Sequence, residues 1–181
     1  MRLEFISPYD FDLNIGGAIN RSIEHLPDDT WVAHTDCDTL KPPGFAERVR
    51  EVLKSPFLKT DYVLTCRTNR VGWDSPLIIQ EMFMEPDISK HLETASALWE
   101  EKGTLVTPTK VAPGYCMVFN VGRVKRLGGF PENSIIFDRW LSKKSTPFVM
   151  EGVYIFHLYR WLEPVPGPKQ DHLRKKGYYL Q

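Results

Sequence analysis

Short apolar runs alternate along this chain with amphipathic helical stretches, and prolines, glycines and polar turns separate them. Residues 3–7 read as a first strand ended by Pro8, and residues 16–26 as a helix whose Ala18, Ile19, Ile23 and Leu26 share a face. A turn at Pro27, Asp28 and Asp29 leads into a strand over 30–34. A helix over 45–53 follows, with Phe45, Val49, Val52 and Leu53 along one stripe. Further strands fall at 62–66, 115–120, 147–150 and 153–157. Helices fall at 87–102, closed by Gly103, at 121–127, stopped by Gly128 and Gly129, and at 137–144. The pattern predicts a single α/β domain, a mostly parallel central sheet with helices on both faces. In such a sheet ligands gather beyond the carboxyl ends of the strands.

At 181 residues the chain can bury a sizeable core, and 42% hydrophobic with 12% aromatic content excludes a disordered polymer. Lysines plus arginines number 23, as do aspartates plus glutamates, so net charge gives no electrostatic reason to expect nucleic acid. No apolar run approaches membrane-span length, so no transmembrane segment is expected, and Glu4 interrupts what a signal peptide would keep apolar. Cys37, Cys66 and Cys116 are odd in number and lack a Cys-x-x-Cys spacing, which argues against a disulfide framework and a structural zinc site. These features predict a cytoplasmic protein. Residues 1–161 are expected to form the domain. From 162 to 181 the chain turns proline-rich, then basic and aromatic, as expected of a tail or lid.

The chemistry concentrates in TWVAHTDCDTLKPPG, residues 30–44, where an apolar run delivers Asp36 and Asp38 with one cysteine between them. Alternate side chains of a strand share a side, so the two carboxylates are expected to converge. At about 4 to 5 Å and an effective dielectric of about 20 they repel by roughly 3 to 4 kcal/mol. A hard divalent cation such as Mg2+ or Mn2+ would offset that repulsion and keep positions open for phosphate oxygens. A second Asp-x-Asp, Asp10 and Asp12, lies in a polar loop after Pro8, where turn formation or capping is the expected role.

Four features stand in order along the chain. They are the run Asn14-Ile15-Gly16-Gly17-Ala18-Ile19-Asn20, the pair Asp36 and Asp38, the segment Gly128-Gly129-Phe130-Pro131-Glu132 followed by Asp138-Arg139-Trp140-Leu141, and a late His157. In this set the chain resembles the family two glycosyltransferases of the GT-A fold, a Rossmann-like architecture. The resemblance implies transfer of a sugar, with inversion, from a UDP- or GDP-sugar to a hydroxyl of a saccharide or other acceptor, with Mn2+ or Mg2+ as cofactor. It implies Asp36, Asp38 and His157 as metal ligands, with Asp36 also near the ribose. It implies Asp138 as the general base that takes the acceptor proton, with Glu132 in reserve. Asp138 would equally suit the amino end of a helix, where its charge favours the dipole.

Further candidates for the nucleotide sugar are Pro8, Tyr9 and Asp10 after the first strand, and Asn14, Gly16 and Gly17 at a helix start. Arg67, Arg70 and Arg160 are cationic candidates, and Trp73 and Trp140 are possible stacking surfaces for a sugar. Arg160 and the basic residues 172–176 would close a lid over the diphosphate and exclude water. The chain departs from the family pattern in two places. Phe137 stands where the first member of the acidic pair is expected, and only residues 3–13 precede the Asn14 run, so the nucleotide half is shortened. That shortening motivates an alternative, a noncatalytic nucleotide- or carbohydrate-binding module on the same fold. A nucleotidyltransferase is less well matched, because residues 3–13 contain no basic residue for a phosphate loop.

Overall fold

The computed structural model describes residues 1–10, 12–69, 75–83, 85–134 and 136–158. Arg70, Trp73, Arg160 and the tail over 162–181, all named above, lie outside the described residues. The element order is β1 (Arg2–Ile6), α1 (Ile15–Ile23), β2 (Thr30–Thr35), β3 (Thr39–Leu40), α2 (Phe45–Leu53), β4 (Tyr62–Thr68) and a 3-10 turn (Gln80–Met82). It continues through α3 (Ile88–Lys102), β5 (Val106–Pro108), β6 (Cys116–Asn120), α4 (Val121–Arg126), α5 (Phe137–Lys144) and β7 (Thr146–His157). The fold is α/β, as the alternation predicts. Among the described residues no helix is long and apolar enough to cross a membrane.

The sheet has seven strands in the order β1-β2-β6-β4-β7-β3, with β5 also on β7. It is mixed, which corrects the mostly parallel expectation. β1 pairs with β2, and β4 with β7, in parallel; every pairing of β6, β3 and β5 is antiparallel. The reason is the placement of β6. Its run CMVFN is buried throughout, as in a parallel strand, yet it inserts in reverse between β2 and β4. β1, β2, β4 and β7 still point the same way, so their carboxyl ends share one end of the sheet.

Both faces are covered. On one, Trp31, Ala33, Leu64, Cys116 and Val118 pack under Phe45, Val49, Val52 and Leu53 of α2. On the other, Val32, Val63, Met117 and Phe119 pack under Ile19 and Ile23 of α1, Val124 of α4, and Phe137 and Leu141 of α5. Each Val, Leu, Ile, Phe or Met among these contributes on the order of 1.5 to 3 kcal/mol when fully buried. Alternate residues of β2 and β6 feed opposite cores, which explains why the middle of each strand is apolar on both faces.

A second correction concerns residues 147–157. Two strands are expected there and one continuous strand is found. The expected break coincides with a bulge: Cys66 pairs with Met150 but Arg67 with Tyr154, so residues 151–153 of β7 have no counterpart on β4. The loop after α3 holds the bulge, because the Glu151 N–H donates to the Leu105 carbonyl at 2.9 Å. Gly152 lies so close to Gly103 that a Cβ would collide with its carbonyl oxygen. The carboxylate of Glu151 is buried and takes Arg67 through its Nε at 2.7 Å and Nη2 at 2.5 Å, and also accepts from the Thr107 hydroxyl.

Beyond the bulge, α3 packs on β7 through Ala95, Tyr154 and Phe156. His91 is buried there, stacked on Phe156 with ring centroids 3.8 Å apart. Its Nε2 faces the Glu85 carbonyl at 2.8 Å and so carries the proton, which leaves Nδ1 to accept from the Tyr154 hydroxyl at 2.7 Å. Burial pushes the Tyr154 phenol well up, so it remains a donor at any ordinary pH. Tyr154→Phe strands a buried acceptor. It should lower the unfolding free energy by about 1 to 3 kcal/mol in urea titration; an unchanged value would show that the pair contributes nothing net.

Candidate functional site

Two segments distant in sequence meet at the carboxyl ends of the strands and bring three groups together. β2 stops at Thr35, and Asp36, Cys37 and Asp38 form a tight turn into β3. Asp36 and Asp38 therefore converge through the turn and not through strand alternation, which corrects the basis expected for their meeting. The Thr39 hydroxyl donates to the Asp36 carbonyl at 2.7 Å and ties the turn to itself. The Asp36 N–H donates to the Tyr115 carbonyl at 3.3 Å.

β7 brings His157 to this turn. Thr39 pairs with His157 across the β3–β7 ladder, and the Leu158 N–H donates to the Asp38 carbonyl at 2.7 Å. One oxygen of Asp36, one of Asp38 and a ring nitrogen of His157 all lie within 4.8 Å of one another. His157 Nε2 is 3.4 Å from Asp38 Oδ1. The imidazole is buried against the Tyr115 ring, 5.5 Å between centroids, while Asp36 and Asp38 keep 26% and 43% of their side chains exposed. One wall is thus fixed and the carboxylates open to solvent, the arrangement a cation that must also meet a substrate requires.

The donor chemistry fits a divalent cation. Ligands about 2.1 Å from a shared octahedral ion lie about 3.0 Å apart when adjacent and about 4.2 Å when opposite, so small side-chain rotations suffice here. Two carboxylates suit Mg2+ or Mn2+, and the imidazole tilts the set toward Mn2+.

Asp138 is linked to this cluster through the Gly114–Tyr115 segment. In the first turn of α5 its Oδ2 accepts from the Gly114 N–H at 3.2 Å, and its Oδ1 accepts from the Arg139 N–H at 2.7 Å. Gly114 immediately precedes Tyr115, which touches both Asp36 and His157. Glu132 is exposed in the loop before α5. Pro8 and Tyr9 follow β1 at the same end of the sheet, where the Ser7 and Thr35 hydroxyls are 3.0 Å apart, and Tyr9 is 61% exposed.

The remaining candidates are engaged within the fold. Asp10 accepts from the N–H groups of Asp12 and Asn14 and pairs with Arg21 at 2.9 Å; the Asn14 N–H chiefly holds its carboxyl below the usual range. The turn-forming role expected of this second Asp-x-Asp is the one found. Asn14 caps α1 by accepting from Gly17 N–H at 2.9 Å, and the same oxygen accepts from Asn133 N–H at 2.8 Å. A Cβ on Gly16 would collide with the Pro131 carbonyl, and one on Gly17 would collide with the Asn14 side chain. These glycines seat α1 against the 128–133 loop. The Asn20 amide completes the seat, donating to the Phe130 carbonyl and accepting from its N–H. Arg67 turns its fork to Glu151 and to the Pro76 carbonyl. Trp140 packs beside Phe130 in the core under α5.

Sequence reasoning missed two residues of the site, His34 and Asn69. His34 lies in the apolar run just ahead of Asp36, and a histidine inside TWVAHT was the available signal. Asn69 follows β4 and is fully buried. Its Oδ1 accepts from the His157 N–H at 2.8 Å and its Nδ2 donates to the His157 carbonyl at 3.3 Å. The amide replaces the ladder partner that β4 no longer supplies, and nothing local marks it.

No protein-family model matches this chain, and a search of curated proteins finds no match. The site's chemistry therefore has to be argued from its own residues.

Asn69→Ala removes both bonds to a buried stretch of main chain. It should lower unfolding free energy by about 1 to 3 kcal/mol in urea titration. A loss below about 0.5 kcal/mol would mean that water replaces the amide without cost.

Proposed function

We propose that this protein is a metal-dependent glycosyltransferase of the GT-A type, transferring a sugar from a UDP- or GDP-sugar to an acceptor hydroxyl with inversion. The observation that carries the reading is the convergence of Asp36, Asp38 and His157 within 4.8 Å at the shared strand ends of an α/β sheet. These three residues would hold Mn2+ or Mg2+, which neutralises the charge that develops on a departing nucleoside diphosphate. The rest of the chemistry falls to the chain. As the acceptor oxygen bonds to the anomeric carbon and the bond to the diphosphate breaks, Asp138 takes the hydroxyl proton. The Gly114 and Arg139 N–H groups orient that carboxylate. Tyr9, exposed after β1 at the same end of the sheet, offers a face on which a nucleobase can stack.

The same two N–H contacts favour a second reading, in which Asp138 only joins the first turn of α5 to the Gly114 segment and the domain binds a nucleotide or sugar without turning it over. Two measurements separate these. Mn2+ with UDP or GDP should raise the melting temperature beyond either alone, because a ligand bound only by the folded state stabilises it; no shift with any pairing would overturn the transferase reading. Asp138→Asn should retain that shift and lower transfer by about 100- to 10,000-fold, whereas Asp38→Asn should lose both. Full transfer by Asp138→Asn would remove the base assignment and move it to Glu132.

A further inference from the structure

The core under α1 and α5 contains one residue that apolar packing does not explain. His34 is 1% exposed on β2, with Ile6 and Met117 as its neighbours across the sheet. The edge of its ring meets Phe137 at a centroid distance of 5.3 Å and an interplanar angle of 88°. Neither ring nitrogen has a hydrogen-bond partner among the described residues. Buried polar atoms left in this state are rare and costly, and a leucine would fill the space without the penalty.

The polar group that His34 faces is the Asp36 carboxylate. Nε2 is 3.6 Å from Asp36 Oδ1, about 0.4 Å beyond the usual limit of about 3.2 Å for an N–H···O bond. A small rotation of the partly exposed Asp36 side chain closes that gap. Carboxylates that ligate metals are themselves commonly hydrogen-bonded by a residue behind them, and loss of that residue typically costs 10- to 100-fold in metal affinity. Phe137 blocks the other side of the imidazole and precedes Asp138 in α5, so the ring is wedged between the acidic turn and the helix that carries the proposed base.

We propose that His34 is a positioning residue for Asp36: its Nε2–H donates to one carboxylate oxygen and leaves the other directed at the cation. The inference rests on the metal reading above and adds to it a residue that does not touch the ion. It gives the buried imidazole a role that apolar packing does not supply.

The test compares Mn2+ dissociation constants of the full-length wild type, His34→Leu and His34→Gln, measured from the free-Mn2+ electron paramagnetic resonance signal. Metal-free melting temperatures are taken alongside. Leucine removes the donor, so its dissociation constant should rise about tenfold or more while the metal-free melting temperature holds or increases. Glutamine can place an amide N–H near the Nε2 position and should bind within about threefold of wild type. If the leucine variant does not fold, His34→Met supplies the donor-free side chain. A donor-free variant that binds Mn2+ as wild type does would overturn the proposal. So would equal weakening in the donor-free and glutamine variants, which would indicate packing alone. A wild type that binds no Mn2+ would overturn the metal reading itself and this inference with it.

Discussion

Two carboxylates and an imidazole are held together here by main-chain bonds, and that constraint organises the functional end of the molecule. The main chain of the turn is fixed at three points, the Asp36 N–H, the Asp36 carbonyl and the Asp38 carbonyl, each of which has a partner. Tyr115 anchors the first, Thr39 the second, and Leu158 the third. The two carboxylates are thereby kept within 4.8 Å of His157 and of each other, where a cation would offset their mutual repulsion.

β7 is the element that makes the convergence possible. Its first half completes the sheet beside β4 and β5, and its second half, after the bulge at residues 151–153, pairs with β3 and delivers His157 to the turn. The bulge is held from below by the Glu151–Arg67 ion pair and by the close approach of Gly152 to Gly103. Asn69 then fixes the main chain at His157 after β4 has ended. Packing beneath the site and chemistry within it are thus linked through one strand. The loop over 128–133, seated on α1 by Asn14 and Asn20, sets the entry to α5 and so the place of Asp138.

Much of this was legible in the sequence where a local pattern existed. α2 and α5 have the bounds their apolar stripes predict, 45–53 and 137–144, because an amphipathic period carries its own ends. β3 and β5, two and three residues long, are too short to show a period and exist only through pairing with β7. The direction of β6 was not legible either, since a strand buried on both faces reads alike in either sense. In the site, Asp36 and Asp38 announced themselves by following an apolar run. That Arg67 turns to Glu151, and that Asn69 clamps His157, depends on partners more than eighty residues away, with separations of 84 and 88. No spacing rule contains such pairs.

The central claim is that Asp36, Asp38 and His157 share one divalent cation that also carries a nucleoside diphosphate. Diffraction from crystals grown with Mn2+ and UDP or GDP, collected at the manganese absorption edge, addresses it most directly. The account predicts one anomalous peak in contact with a carboxylate oxygen of Asp36, one of Asp38 and Nε2 of His157, with diphosphate oxygens on its open side. A bound nucleotide with no manganese among these three residues, or manganese held elsewhere on the chain, would contradict it.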